Sequence, residues 1–134
     1  MILGIGFDVV NIDRFEILSS WSPRLTEQFR SKANDISSFA GEFAAREALI
    51  KAINQVSVNS KLFNWADLSS YDLLRSVSMV DSHSGSPEFV FIDPYKYIFR
   101  DFNFMLSISH DPPIAGAVVV VTLQSFNTSG NREG

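Results

Sequence analysis

The chain has no cysteine, which excludes a disulfide framework and thiol chemistry. It has no long apolar run either. Its most hydrophobic stretch, Ile114 to Leu123, holds about ten apolar or small residues, against about 20 for a bilayer-spanning helix. There is no basic excess: Lys and Arg number 11 against 15 Asp and Glu, a net charge of −4. A nucleic-acid partner would find no electrostatic support. The N-terminus is apolar but has no basic leader, and Asp8 interrupts it early, so no signal peptide is expected. No internal repeat is visible. These exclusions point to a soluble, cytoplasmic protein with neither nucleic-acid nor membrane partners.

What is present is apolar mass. The hydrophobic fraction is 46%, with twelve Phe in 134 residues. That suffices for one domain with a real core, expected over 1–124, with a polar, frayed tail over 125–134. The phenylalanines read as core or interface.

Along the chain, Ile2 to Val10 reads as a short buried strand. Ile12 to Leu18 reads as helix, ended near Trp21-Ser22-Pro23, and Arg24 to Ala33 as a second short helix. Asn34-Asp35-Ile36-Ser37-Ser38 offers caps for a long helix expected over Ser38 to Asn54. Phe39, Phe43, Leu49, Ile50 and Ile53 form no single stripe on it, and alanines fill the gaps. A helix small and apolar nearly all round is a buried one. Gln55 to Ser70 is polar and aperiodic. Leu73 to Val80 reads as a strand, paired across the Asp81–Pro87 turn with Glu88 to Ile92. Asp93-Pro94 opens a short helix through Arg100. Phe104 to Ser109 and Ile114 to Leu123 form a second hairpin across Asp111-Pro112-Pro113. The class is α+β, with one mainly antiparallel sheet packed on a long helix.

Charged residues interrupt this apolar background at three places. Asp8 ends the first strand. Glu47 and Lys51 lie four apart on the long helix and share a face. His110 follows Ser107-Ile108-Ser109 in a later strand. Two carboxylates, a lysine and a histidine on three elements are the ingredients of a metal-assisted site. Taken singly, each has a blander reading. Asp8 is better read as a cap for the helix after Asn11. Glu47 and Lys51 are better read as a solvated i,i+4 ion pair, although the alanine-rich surroundings argue against that. His110 decorates a turn. His83 is an exposed loop histidine.

Read together, the segments resemble a known family. They are Met1-Ile2-Leu3-Gly4-Ile5-Gly6-Phe7-Asp8-Val9-Val10-Asn11-Ile12-Asp13-Arg14, Phe39-Ala40-Gly41-Glu42, Phe43 through Lys51, Gly85-Ser86-Pro87, and Ser107 to His110. In this order they resemble the holo-acyl-carrier-protein synthases, the small class of 4'-phosphopantetheinyl transferases, over about residues 1–123. The resemblance implies the 4'-phosphopantetheinyl transferase fold. It also implies transfer of the phosphopantetheine arm of coenzyme A to a serine of an apo acyl carrier protein. The reaction would need Mg²⁺ and release 3',5'-adenosine bisphosphate. It assigns Asp8 and Glu47 to the metal and Lys51 to the catalytic cluster. Arg46, Lys51, Ser109 and His110 become coenzyme A contacts, and Asn54 is a coenzyme A contact standing in for the family's glycine-rich stretch. Arg14 and Arg24 become the carrier-docking residues, with Arg30 and Lys32 as an extension. It further implies a homotrimer with sites between chains, consistent with Ile114 to Val121 being apolar on both faces.

Charge fits this chemistry. A phosphoryl-transfer transition state is heavily anionic, so catalysis is mostly positioning and neutralisation. Mg²⁺ takes one or two carboxylates and fills its octahedron with water and substrate oxygens.

The chain also departs from the family pattern. Arg46 stands where the pattern has lysine, which alters phosphate geometry. Ala52-Ile53-Asn54-Gln55-Val56 replaces a glycine-rich stretch, which removes a backbone cradle for phosphates. The segment between Arg14 and Arg24 is short. Two other readings stay open: a coenzyme A-binding protein without transfer, and a trimeric structural domain with a Glu47–Lys51 ion pair.

Overall fold

The computed structural model describes residues 1–21, 35–60 and 70–124. The elements are β1 (Ile2–Asn11), α1 (Ile12–Trp21), α2 (Ile36–Ser60), α3 (Ser70–Ser76), β2 (Val77–Asp81), β3 (Pro87–Phe91), α4 (Tyr95–Ile98), β4 (Phe102–Asp111) and β5 (Ile114–Leu123). The helix expected at Arg24 to Ala33 and the tail at 125–134 lie outside the described residues.

The class is α+β, as expected. An antiparallel three-stranded sheet runs in the order β1-β5-β4, and β2 and β3 form a separate two-stranded hairpin. α2 lies across the larger sheet. Ala44, Ala45, Ala48 and Ala52 are fully buried on its sheet side. They meet Gly4 and Gly6 of β1, where a Cβ would strike the main chain of Ala52 and Ala48 respectively. Small residues on both sides thus bring the helix against the strand backbone itself.

Two differences from expectation follow from apolar spacing. α2 runs to Ser60, not Asn54. Ile53 and Val56 are fully buried, so the helical stripe continues, and no glycine interrupts it. Leu73 to Val80 is not one strand: Ser70–Ser76 is helix and Val77–Asp81 strand. Leu73 and Val77, four apart, are both buried. Such a short apolar run suits either period, and packing decides it.

A phenylalanine cluster fills the space between the hairpin and β4. Phe91 lies 5.3 Å from Phe99 and 5.0 Å from Phe104, ring centre to ring centre. Phe15 of α1 packs edge-on to Phe39 of α2 at 5.0 Å.

Candidate active site

β1 and α2 bring the central residues together. Gly4, Gly6, Asp8 and Val10 alternate toward the helix, so Asp8 is carried on the face that α2 covers. Its carboxylate is not used as a cap. Asn11 takes that role, its Oδ1 accepting the Arg14 N–H at 3.0 Å.

Lys51 reaches Asp8 from the helix. Its Nζ donates to Asp8 Oδ1 at 3.0 Å and to the Phe7 carbonyl at 3.0 Å. The Lys51 side chain is 55% exposed and the Asp8 side chain 18%. The simple Glu47–Lys51 ion pair is therefore not what forms: the lysine bridges helix to strand instead. Glu47 is half-buried beside this pair. Burial pushes its carboxyl above the ordinary range, the Asp8 charge pushes it further, and Lys51 pulls the other way. A half-buried carboxylate raised by burial and by the charge of a second carboxylate suits a divalent cation. Among the described residues no group of three or more His, Cys, Asp or Glu could hold a metal. A pair of carboxylates still fits Mg²⁺, which keeps several waters and substrate oxygens as its other ligands.

The remaining expected residues divide. Asn54 is exposed on the Glu47–Lys51 side of α2. His110 shares the inward parity of Asp8. It stands opposite Ala115, two rungs from the row Asp8, Ala117, Ile108. The sheet spacings put it on the order of 12 Å from Asp8. Its charge adds to the lowering of the Asp35 carboxyl, for which the Ser38 N–H is the main cause. Asp35 accepts that N–H at 2.8 Å and so caps α2.

Ser109 turns to the opposite sheet face. Arg46 does not join the cluster. It is 3% exposed, with Glu42 at 3.8 Å and the Val77 carbonyl accepting from Nη2 at 3.5 Å. Nothing in this placement offers it to a phosphate from solvent. Arg14 is exposed in the first turn of α1. Arg24, Arg30 and Lys32 lie outside the described residues.

One polar residue of this face was not expected. Gln55, one turn beyond Lys51, accepts the Ile5 N–H at 2.6 Å. Its i,i+4 spacing from Lys51 was the available signal. A cleft of about 370 Å³ is lined by phenylalanines of β3 and β4, and one of about 330 Å³ by Asp72, Arg75 and Tyr95. Neither is lined by Asp8, Glu47 or Lys51. Among the described residues, no helix is long and apolar enough to cross a membrane.

Comparison with known proteins places the fold and the family. No protein-family model matches the chain. The holo-acyl-carrier-protein synthase of Leifsonia xyli is 33% identical over 131 residues, covering 93% of this chain and 100% of that one. The solved structure of the Helicobacter pylori holo-acyl-carrier-protein synthase, in complex with coenzyme A, is 30% identical. Its TM-score is 0.65, over 88% of this chain and 99% of that one. The Mycobacterium tuberculosis acyl carrier protein synthase, at 22% identity, shares the fold with a TM-score of 0.67, over 92% of this chain and 99% of that one. Fold and sequence relatives together define the class as a small α+β enzyme of the phosphopantetheinyl transferase type. Within it, the chain belongs to the holo-acyl-carrier-protein synthase family.

Proposed function

We propose that the chain moves the 4'-phosphopantetheine arm of coenzyme A onto a serine of an apo acyl carrier protein, with Mg²⁺, releasing 3',5'-adenosine bisphosphate. The observation that carries this is the convergence of Asp8, Glu47 and Lys51 from two elements packed backbone to backbone. In the reaction the serine oxygen bonds to the distal phosphorus of the pyrophosphate. The bond from that phosphorus to the bridging oxygen breaks, and the serine loses its proton.

Asp8 and Glu47 would hold the Mg²⁺, whose charge supplies neutralisation of the phosphate oxygens. Lys51 keeps its ammonium at the same place and has solvent-side freedom to meet a phosphoryl oxygen. Asn54 and His110 flank this centre on the helix and the sheet, where they suit the rest of the coenzyme. Arg14, exposed on α1, suits the acidic helix of a carrier protein.

Assembly is part of the reading. The outer face of the three-stranded sheet carries Ile5, Phe7, Val9 and Met105, each about half or more exposed. Val118 and Val120 lie between them. An apolar face of this kind marks an interface. Three copies around it would make a cyclic trimer, with each site completed by a neighbour.

A second reading is favoured by one observation. Ala52 to Val56 is continuous helix, so no glycine-rich loop cradles phosphates there. The chain would then bind coenzyme A without transferring it. The test is incubation with coenzyme A, Mg²⁺ and an apo carrier, followed by intact mass. The carrier should gain the phosphopantetheine mass. Asp8→Ala and Glu47→Gln should abolish the gain while keeping the fold. Near-wild-type turnover in either variant removes that residue from the metal. Coenzyme A binding with no mass gain selects the second reading.

A further inference from the structure

Among the described residues β1 is an edge strand of its sheet, with β5 on one side. Ile5 and Phe7, two residues apart, turn their backbone groups to the other side. An open edge leaves donors and acceptors without a ladder partner. Here one turn of α2 supplies partners. Gln55 Oε1 accepts the Ile5 N–H at 2.6 Å, and Lys51 Nζ donates to the Phe7 carbonyl at 3.0 Å. The two side chains stand in for a neighbouring strand.

The surface they span has little relief. Gly4 and Gly6 offer no side chain to α2, and opposite them stand alanine methyl groups and, at Gly4, the Cγ2 methyl of Val56. Dispersion holds such surfaces together but resists sliding weakly, because the Val56 methyl at Gly4 is the bulkiest group among these contacts. The ladder to β5 fixes β1 within the sheet, and directional bonds to α2 add to fixing how far along the helix this open edge sits. Lys51 is an uncertain pin for this purpose. It is exposed and charged, and in the transfer reading its ammonium is drawn to phosphate oxygens. Gln55 is neutral, and neither an anion nor a metal competes strongly for it.

We propose that Gln55 is a positioning residue: its bond to the Ile5 amide holds β1 in register on α2, keeping Asp8 opposite Glu47 and Lys51. This rests on the transfer reading, in which the two carboxylates act together. It also gives a use to the glycine-free stretch after Lys51. Helix continues there, and its next turn carries the pin.

The test uses the full chain with Gln55→Met, which keeps length but removes the acceptor, and Gln55→Glu, which restores an acceptor. Amide exchange by NMR reads the pin directly, and transfer kinetics read its effect. Gln55→Met should speed exchange at Ile5 by about tenfold, the loss of one hydrogen bond, with Gly6 unchanged on the β5 side. The Mg²⁺ needed for half-maximal rate should rise by about threefold or more, with the coenzyme A KM within about twofold, because the carboxylate pair is disturbed and the coenzyme contacts are not. Gln55→Glu should return both readouts to near wild type. The proposal is overturned if Gln55→Met leaves Ile5 exchange unchanged. It is also overturned if exchange rises while Mg²⁺ dependence stays as in wild type, or if Gln55→Glu fails to rescue. A wild-type chain that binds coenzyme A without transferring would sink the transfer reading instead. The Ile5 exchange rate alone would then decide whether the pin exists.

Discussion

Replacing Gly6 with alanine would add one methyl group at the point where β1 touches α2. The new Cβ would lie 2.8 Å from the Ala52 nitrogen, 2.9 Å from the Ala48 carbonyl carbon, and against the Ala48 oxygen itself. All three are main-chain atoms, so no rotamer can relieve the contact. Restoring ordinary separations of about 3.5 Å or more requires strand and helix to part by on the order of 1 Å. Overpacking costs about 1–3 kcal/mol, and a rigid backbone obstacle belongs at the upper end. The stiffer unfolded chain returns about 0.5–1 kcal/mol. A net loss of about 2–2.5 kcal/mol lowers Tm by roughly 10 °C for a chain of this size.

The same displacement acts on the site. Lys51 and Asp8 meet at 3.0 Å across this interface. A parting of about 1 Å takes that contact beyond hydrogen-bond range. Gly6→Ala should therefore lose more than about tenfold in transfer rate at a temperature where it is still folded, since small misplacements of catalytic groups are costly. Gly41→Ala is the control. Its Cβ would meet a side-chain methyl of Ile108 at 2.8 Å, with no main-chain atom in the way, and alanine is the better helix former by about 1 kcal/mol. Thermal melts and transfer assays should rank Gly6→Ala well below Gly41→Ala. Equal melting of the two, with Gly6→Ala fully active, would refute the argument that a glycine contact sets the site.

Three further outcomes follow from the same geometry. Folding raises the Glu47 carboxyl above its ordinary value of 4.5, so the folded state holds that proton more tightly than the unfolded. The stability this contributes is present below pH 4.5 and is lost as pH rises through the folded value. Without Mg²⁺, melting temperature against pH should fall less across that window in Glu47→Gln than in wild type, and identical slopes would reject the assignment. Arg14→Glu and Arg24→Glu should each raise the carrier KM with a smaller change in coenzyme A binding, most clearly at low salt. Unchanged carrier kinetics in both would take these residues off the docking surface. Met105→Glu should dissociate the assembly in sedimentation and abolish transfer, and an active monomer at assay concentration would refute the shared site.

Much of the frame was legible because it is written in short-range patterns. The short apolar run of β1, the two proline- and glycine-marked turns and the apolar run of β5 each declare themselves within about ten residues. The family motifs added Asp8, Glu47 and Lys51 as a group. What stayed hidden depends on packing. Whether Lys51 pairs with Glu47 or with Asp8 cannot be read from a spacing of four, because a strand more than forty residues away supplies the competitor. Arg46, adjacent to Glu47 in sequence, faces a different way on the helix and is buried against Glu42 and Val77. Ser109 and His110 are neighbours in sequence, yet strand alternation puts them on opposite faces. Leu73 to Val80 was misread because two periods fit a short apolar run equally well.

The site's charges sit where the fold has least side-chain bulk. That combination has a physical logic. A half-buried glutamate in a close-packed helix destabilises the folded chain unless something neutralises it. The glycine–alanine contact brings β1 so near that Lys51 can touch both Asp8 and the strand backbone, and that the Asp8 charge adds to burial in raising the Glu47 carboxyl. Bulky residues at this interface would bury more apolar surface and add stability. They would also move Asp8 away from Glu47 and Lys51. The contact thus gives up packing energy for proximity, and the large apolar clusters around Phe99 and Phe15 supply cohesion elsewhere. Stability and site geometry are carried by different parts of the core. Substitutions in the phenylalanine clusters should therefore lower melting temperature with little change in Mg²⁺ dependence, and substitutions at Gly4, Gly6, Ala48 or Ala52 should change both together.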